Sequence, residues 1–281
     1  MQHAVVLSAA AVGRPGPARG LLSLFIAETE GFTVNEKVIT ALPRPSRAYA
    51  PAPTPAWVER VDSWESVADS PAFVGFAKRI LELAAPQPHD VAVDLGCGTG
   101  LLALPLAELT SRVSAVDYSK TMLARLADRA QAGRLENLDP VHADLRELPL
   151  EDESATVVVS NYAFHHLADE GKELALSEAR RVLRPGGRLV VCDMMFALSL
   201  APRDRAIITS KVVAIARKGP GGILRLARNA GRVAAGRWEH PSPPQRWREM
   251  LEGRSFTAVT VEPIEHEAGI ACARRPLRRA S

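Results

Sequence analysis

The ten residues Val91-Ala-Val-Asp-Leu-Gly-Cys-Gly-Thr-Gly100 constrain this chain most, because an apolar run ends on an acid and passes at once into three closely spaced glycines. Glycine reaches positive φ without steric cost and lets a ligand approach closer than any Cβ permits. Gly96, Gly98 and Gly100, with Cys97 and Thr99 between them, can therefore turn the chain beneath a bulky nucleoside-bearing ligand. Glycine spacing alone is a weak signal. Here an apolar strand precedes it, a helix is expected over 99–109, and a second apolar strand, Val113–Val116, ends on Asp117. That aspartate is the candidate for holding a ribose.

From Val91 onward the pattern alternates. Strands are expected at 91–95, 112–117, 138–143, 155–161 and 187–193, with helices at 99–109, 119–131 and 169–183. Runs such as Ala155-Thr-Val-Val-Val159 are apolar without alternation, as strands buried on both faces are. The expected fold is therefore α/β, a doubly wound, Rossmann-like sheet. After Asp193 the strand pattern lapses and resumes at 256–261 and 269–273, which read as an antiparallel closing pair and bring the mostly parallel sheet to seven strands. The segment between, about 196–254, is expected to be a helical cap, broken at Gly219-Pro-Gly-Gly222. In doubly wound sheets ligands sit at the strands' carboxyl ends, and Asp94, Asp117, Asp144 and Ser160-Asn161 all fall there.

Residues 1–56 are rich in Ala, Pro and Gly and read as a poorly ordered leader and linker; the domain proper is expected over 57–281. A helix is expected from Trp57 to Ala85, ending before Pro86. Its Trp57, Trp64 and Phe76 suit core more than a lid, and Trp238 and Trp247 carry the same ambiguity. No uncharged apolar stretch reaches the roughly 18 residues that a spanning helix needs, and the N-terminus lacks the basic lead-in of a signal peptide. With Cys97, Cys192 and Cys272 far apart and odd in number, the chain reads as cytoplasmic, with reduced thiols and no metal site. Charge is uneven: residues 201–281 hold 16 Lys/Arg against 7 Asp/Glu, within a chain of net charge +3.

Four stretches together resemble the class I S-adenosylmethionine-dependent methyltransferases, from about Phe73 to Ala273. Asp94-Leu-Gly-Cys-Gly-Thr-Gly100 resembles that family's first motif, and Val113-Ser-Ala-Val-Asp117 its second. His142-Ala-Asp-Leu145 resembles the third strand's end, and Leu183-Arg-Pro-Gly-Gly-Arg-Leu-Val-Val191 the turn into the fifth. The resemblance implies S-adenosyl-L-methionine as cofactor, with the glycine loop under its methionine part and Asp94 near its amino group. It further implies Asp117 on both ribose hydroxyls, Tyr118 and Met122 against adenine, and Asp144 with the Leu145 N–H on the base's edge. The Gly-x-Gly-x-Gly spacing departs from the Gly-x-Gly-x-x-Gly of dinucleotide-dependent oxidoreductases.

Methyl transfer from a sulfonium requires mainly alignment and exclusion of water, with a base only where the acceptor is not already nucleophilic. Ser160-Asn-Tyr-Ala-Phe-His-His-Leu167 should face the transferred methyl, making Tyr162, His165 and His166 candidate acceptor-side residues. An imidazole can take a proton near neutral pH, although paired histidines here also serve simply as packing. Ser160-Asn161-Tyr162-Ala163 departs from the Asn/Asp-Pro-Pro-aromatic tetrad of methyltransferases acting on exocyclic amines or glutamine amides.

The branch most resembled, through Phe164-His-His-Leu167 and Leu183-Arg-Pro-Gly-Gly187, includes ubiquinone/menaquinone-type and natural-product methyltransferases. The expectation is a methyltransferase acting on oxygen or carbon of a hydrophobic small molecule. A protein or peptide methyltransferase and a non-catalytic cofactor-binding module are the alternatives. Arg203–Arg237 holds nine Lys/Arg and one acid, read as holding an anionic acceptor, as touching acidic lipid at a membrane surface, or as a solvated face. The absence of basic-aromatic interleaving disfavours nucleic acid.

Overall fold

A computed structural model describes residues 70–197, 199, 201–234, 239–264 and 267–278, with the side chains of 232–234 excluded. Expectations for residues 1–56, Trp57, Trp64 and Trp238 lie outside these. In chain order the elements are α1 (Pro71–Ala84), β1 (Val91–Leu95), α2 (Ala103–Leu109), β2 (Arg112–Asp117), α3 (Lys120–Ala132), β3 (Leu138–His142), β4 (Ala155–Asn161), a 3-10 turn (Phe164–His166), α4 (Asp169–Val182), β5 (Leu183–Met194), α5 (Pro202–Ala216), α6 (Pro220–Ala234), α7 (Pro244–Gly253), β6 (Thr257–Pro263) and β7 (Ala268–Arg274).

The seven strands form one sheet in the order β3-β2-β1-β4-β5-β7-β6. β1 to β5 run parallel, while β7 pairs antiparallel with β5 and β6 with β7. Why the strands read as unbroken apolar runs is visible in the packing. Ala92, Val157, Val159, Val190 and Cys192 face one buried cluster with α1, α2 and α3, whereas Val93, Val158, Leu189 and Val191 face the other with α4 and α7. Successive side chains point to opposite faces, and both faces are covered.

Three boundaries differ from expectation. α1 starts at Pro71 with Ser70 as its extended N-cap, so the helix expected from Trp57 to Ala85 is not continuous through residue 70. α2 starts at Ala103, not at 99, because residues 99–102 complete the turn of the glycine loop. β5 starts at Leu183, directly after α4, since the residue before a proline is pushed out of helical geometry and Arg184 precedes Pro185. Within the expected helical cap of 196–254, a third helix was not foreseen. α7 opens on Pro244 within a proline cluster, yet Trp247, Met250 and Leu251 form a buried stripe, with the Trp247 ring 5.5 Å edge-on from Phe164. Trp247 is thus core.

Candidate active site

Because β1, β2 and β4 are parallel neighbours, their carboxyl ends form one rim, over which the glycine loop lies. The loop is fastened to β2. The Gly96 and Cys97 N–H groups both donate to the Val116 carbonyl, at 2.8 and 3.0 Å. Gly98 N–H donates to Asp117 Oδ2 and Ser119 N–H to Asp117 Oδ1, each at 2.8 Å. Gly96, Gly98 and Gly100 sit at φ of 75°, 52° and 100°. Each Asp117 oxygen accepts one bond here and keeps further acceptor capacity. Burial pushes the Asp117 carboxyl upward, opposed by those two N–H groups and by His142.

Asp94 is 1% exposed and strongly perturbed. Burial, reinforced by the charge of Asp117, pushes its carboxyl up to about 8, against the lowering influence of the Ala103 N–H. Its Oδ2 has no hydrogen-bond partner among the described residues, and neither does the Oδ1 of Asn161. Both residues line one pocket, together with Phe73, Gly96, Cys97, Thr99, Leu101 and Leu102. Buried acceptors are normally satisfied, so two orphans in one pocket are the signature of a ligand that brings donors. A cationic amino group suits both and favours an ionised Asp94. Burial also keeps the Cys97 thiol well above its ordinary value, so it lines the pocket as a neutral group.

The other expected residues of the rim have defined surroundings. Thr99 is buried, and Arg129 of α3 donates to both its carbonyl and its hydroxyl at 3.1 Å. Arg129 escaped sequence reasoning because it stands among the ordinary charges of a helix face, thirty residues from the loop that it braces. Met122 is buried, and its N–H donates to the hydroxyl of Ser119, the N-cap of α3. Tyr118 is half-buried, with its carbonyl accepting from His142 Nε2 at 3.0 Å. Asp144 is gripped by Arg146, through Oδ1 to its backbone N–H and Nε and through Oδ2 to a terminal guanidinium nitrogen at 2.5 Å. Burial would raise the Asp144 carboxyl, but Arg146 holds it below the usual range. Leu145 is half-buried and packs against the second core cluster. Ser160 spends its hydroxyl on the Leu95 carbonyl at 2.7 Å, tying β4 to β1.

Beyond β4 the chain makes a tight aromatic and imidazole cluster. Tyr162, at φ 55°, stacks on Phe76 with centroids 5.7 Å apart, lies 4.6 Å from Phe73 and meets His165 edge-on at 5.7 Å. Burial pushes its phenol far above the usual range, so it is a neutral hydroxyl, not a base. The His165 and His166 rings are 4.1 Å apart, yet their settings differ. Burial, with repulsion from His165, lowers the pKa of His166 to about 3, so its imidazole stays neutral.

His165 is held by Asp193, at the carboxyl end of β5: Nδ1 lies 2.8 Å from Oδ1, and the His165 N–H donates to Oδ2 at 3.1 Å. Although burial works against ionisation, His165 holds Asp193 below the ordinary carboxylate range. A carboxylate only accepts, so Nδ1 carries a proton, and in the neutral tautomer that fits this contact Nε2 is the acceptor nitrogen. Asp193, the partner of His165, was not among the candidate residues that the sequence suggested. Its signal was present, since it too is an acid ending an apolar strand.

This fold, with a glycine loop and an acid at the end of each of the first two strands, defines a class I S-adenosylmethionine-dependent methyltransferase domain, and the chain carries one. Residues 92–187 match the family described as "Methyltransferase domain". An uncharacterized methyltransferase of Geobacillus kaustophilus is 35% identical over 124 residues, covering 44% of this chain and 55% of the relative. A demethylmenaquinone methyltransferase of Clavibacter sepedonicus is 36% identical over 109 residues, or 39% and 43% of the two chains. The chain spans about half the length of these curated relatives. Among solved structures, a SAM dependent methyltransferase from Aquifex aeolicus shares the fold, with a TM-score of 0.55 at 15% identity, over 78% of this chain and 98% of that one. S-adenosyl-L-methionine is the cofactor of this class.

Proposed function

We propose that the protein transfers the methyl group of S-adenosyl-L-methionine to oxygen or carbon of a hydrophobic small molecule. The observation that carries the cofactor half of this reading is the pair of orphaned buried acceptors, Asp94 Oδ2 and Asn161 Oδ1, in the pocket of the glycine loop. In this reading Asp94 holds the amino group, and Gly96, Cys97, Gly98, Thr99 and Gly100 run beneath the methionine part. Asp117 accepts both ribose hydroxyls on its remaining lone pairs, Tyr118 and Met122 flank adenine, and Asp144 with the Leu145 N–H meets its edge. Ser160 locks the end of β1 in place beside them. When bound, the cofactor supplies an electrophilic methyl group on a sulfonium. The residues' own task is to align the acceptor and exclude water.

Support for a hydrophobic acceptor comes from the aromatic cluster of Phe73, Phe76 and Tyr162 beside the pocket, and from the relative named as a demethylmenaquinone methyltransferase. His165 Nε2 would take the acceptor's proton, with Asp193 fixing the tautomer and His166 remaining neutral packing.

Calorimetric titration with S-adenosylmethionine and S-adenosylhomocysteine tests the cofactor assignment. Asp117→Ala should weaken both by about 2 kcal/mol, roughly thirty-fold, as loss of a charge-assisted pair does. Unchanged affinity would remove Asp117 from the site. For the base, Asp193→Asn places an amide where Nδ1–H now donates. Nitrogen NMR should then find the His165 proton moved from Nδ1 to Nε2, and turnover of any accepted substrate should fall about ten-fold or more. Wild-type His165 protonated on Nε2 would sink this role outright.

A further inference from the structure

The helices α5 and α6, which leave the sheet after β5, carry surface that neither the fold nor the site uses. Residues 205–231 contain six Lys/Arg, no acid and no aromatic residue. The root of this hairpin is well anchored. Asp204 accepts from the Ala197 N–H and the Ser199 hydroxyl, Arg203 donates to the Met195 carbonyl, and Ile207 is buried. Farther out, α6 packs chiefly on α5. A Cβ on Gly222 would run into the Ile215 carbonyl, so the two helices meet there at backbone distance.

The rest of α6 is amphipathic with its apolar side uncovered. At 100° per residue, Ile223, Leu224, Ala227 and Ala230 fall on one arc and Arg225 and Arg228 on the other. Leu226 and Asn229, on the side turned toward α5, are half-buried, whereas Ile223 is 62% and Leu224 58% exposed. Val212 and Val213 of α5 are exposed too. Scattered exposed aliphatics are ordinary, but Ile223, Leu224, Ala227 and Ala230 exposed on one arc of α6 beside Arg225 and Arg228 are not.

We infer that the α5–α6 hairpin docks on an anionic lipid bilayer, α6 lying in the interface with Ile223, Leu224, Ala227 and Ala230 toward the acyl chains. Charge complementarity selects this occupant. Arg205, Arg217, Lys218, Arg225 and Arg228 are all exposed, and a surface of continuous negative charge complements such a set of cations. Lys211 is already committed to Glu267 at 2.6 Å. The aliphatic face, without aromatic side chains, resembles an interfacial helix more than the aromatic-rich centre of a protein interface. Burial in the headgroup region takes the apolar atoms from water, while the arginines reach the phosphates.

Flotation of the full chain with vesicles tests this. Wild type should float with phosphatidylcholine vesicles containing roughly one-third phosphatidylglycerol, stay behind with pure phosphatidylcholine, and be released by added salt. Ile223→Asp with Leu224→Asp should weaken partitioning about ten-fold or more, as should Arg225→Glu with Arg228→Glu, at unchanged melting temperature. Failure of wild type to float with either vesicle overturns the inference, as does flotation of both variants at the wild-type level. A dimer in sedimentation velocity that Ile223→Asp with Leu224→Asp dissociates, without vesicle binding by wild type, would assign the face to a second copy of this chain instead.

Discussion

Gly96→Ala should destabilise the protein by about 2–6 kcal/mol and abolish measurable cofactor binding. Two independent penalties combine. At φ 75° a side chain costs on the order of 1–3 kcal/mol. The new Cβ would also run into the Ala163 Cβ, because the loop after β1 is packed directly against the turn after β4, and overpacking of this kind costs about 1–3 kcal/mol more. The two penalties are separable, since Ala163→Gly removes only the clash. Thermal or denaturant unfolding of the single and double variants should show the pair recovering about half of the loss. A double variant no better than Gly96→Ala would mean that the backbone conformation alone requires glycine.

Asp94→Asn should move stability and binding in opposite directions. With its folded carboxyl at about 8 against an ordinary 3.8, Asp94 binds a proton in the native chain that the unfolded chain has released. Its contribution to stability is therefore present at low pH and lost as pH rises through about 8. Asparagine keeps an acceptor for the Ala103 N–H and has no proton to lose. The excess melting temperature of the variant over wild type should thus widen between about pH 5 and pH 8 and level off above. Its affinity for S-adenosylmethionine should fall by on the order of 3 kcal/mol, about a hundred-fold, because a cationic amino group loses its buried counter-charge. A pH-independent difference in melting temperature would refute the raised carboxyl, whereas undiminished affinity would refute its ligand.

Much of this was legible because the sequence concentrates its signals. A parallel sheet covered on both faces needs apolar strands without alternation, so β1, β2, β4 and β5 stand out, each with a polar residue at its carboxyl end. The glycine loop announces itself because its three glycines all take positive φ, where a side chain is strained, and Gly96 leaves no room for a Cβ. What could not be read depends on distance in the chain. His165 and Asp193 are 28 residues apart, and nothing in either segment says that one ring nitrogen meets that carboxylate. Nor does the sequence tell that Arg129 braces Thr99, that Arg146 engages Asp144, or that the two orphaned acceptors share a pocket. α7 is a different case. Its buried stripe was in plain view, overshadowed by the prolines before it.

The insertion between β5 and β6 is fastened at its two roots by unrelated polar groups. Asp204 and Arg203 hold the departure. On the return, Lys172 donates to the Ser242 hydroxyl and the His240 carbonyl, Arg246 spans Asp169 and Glu173, and the His240 N–H donates to the His165 carbonyl. Between those anchors α5 still touches the body, with Ile207 in the core and Lys211 paired with Glu267 beside β7, whereas α6 packs chiefly on α5. The outer helix α6 is therefore the exchangeable part: replacing its exposed face would change what that face meets while leaving the residues of the rim as they are.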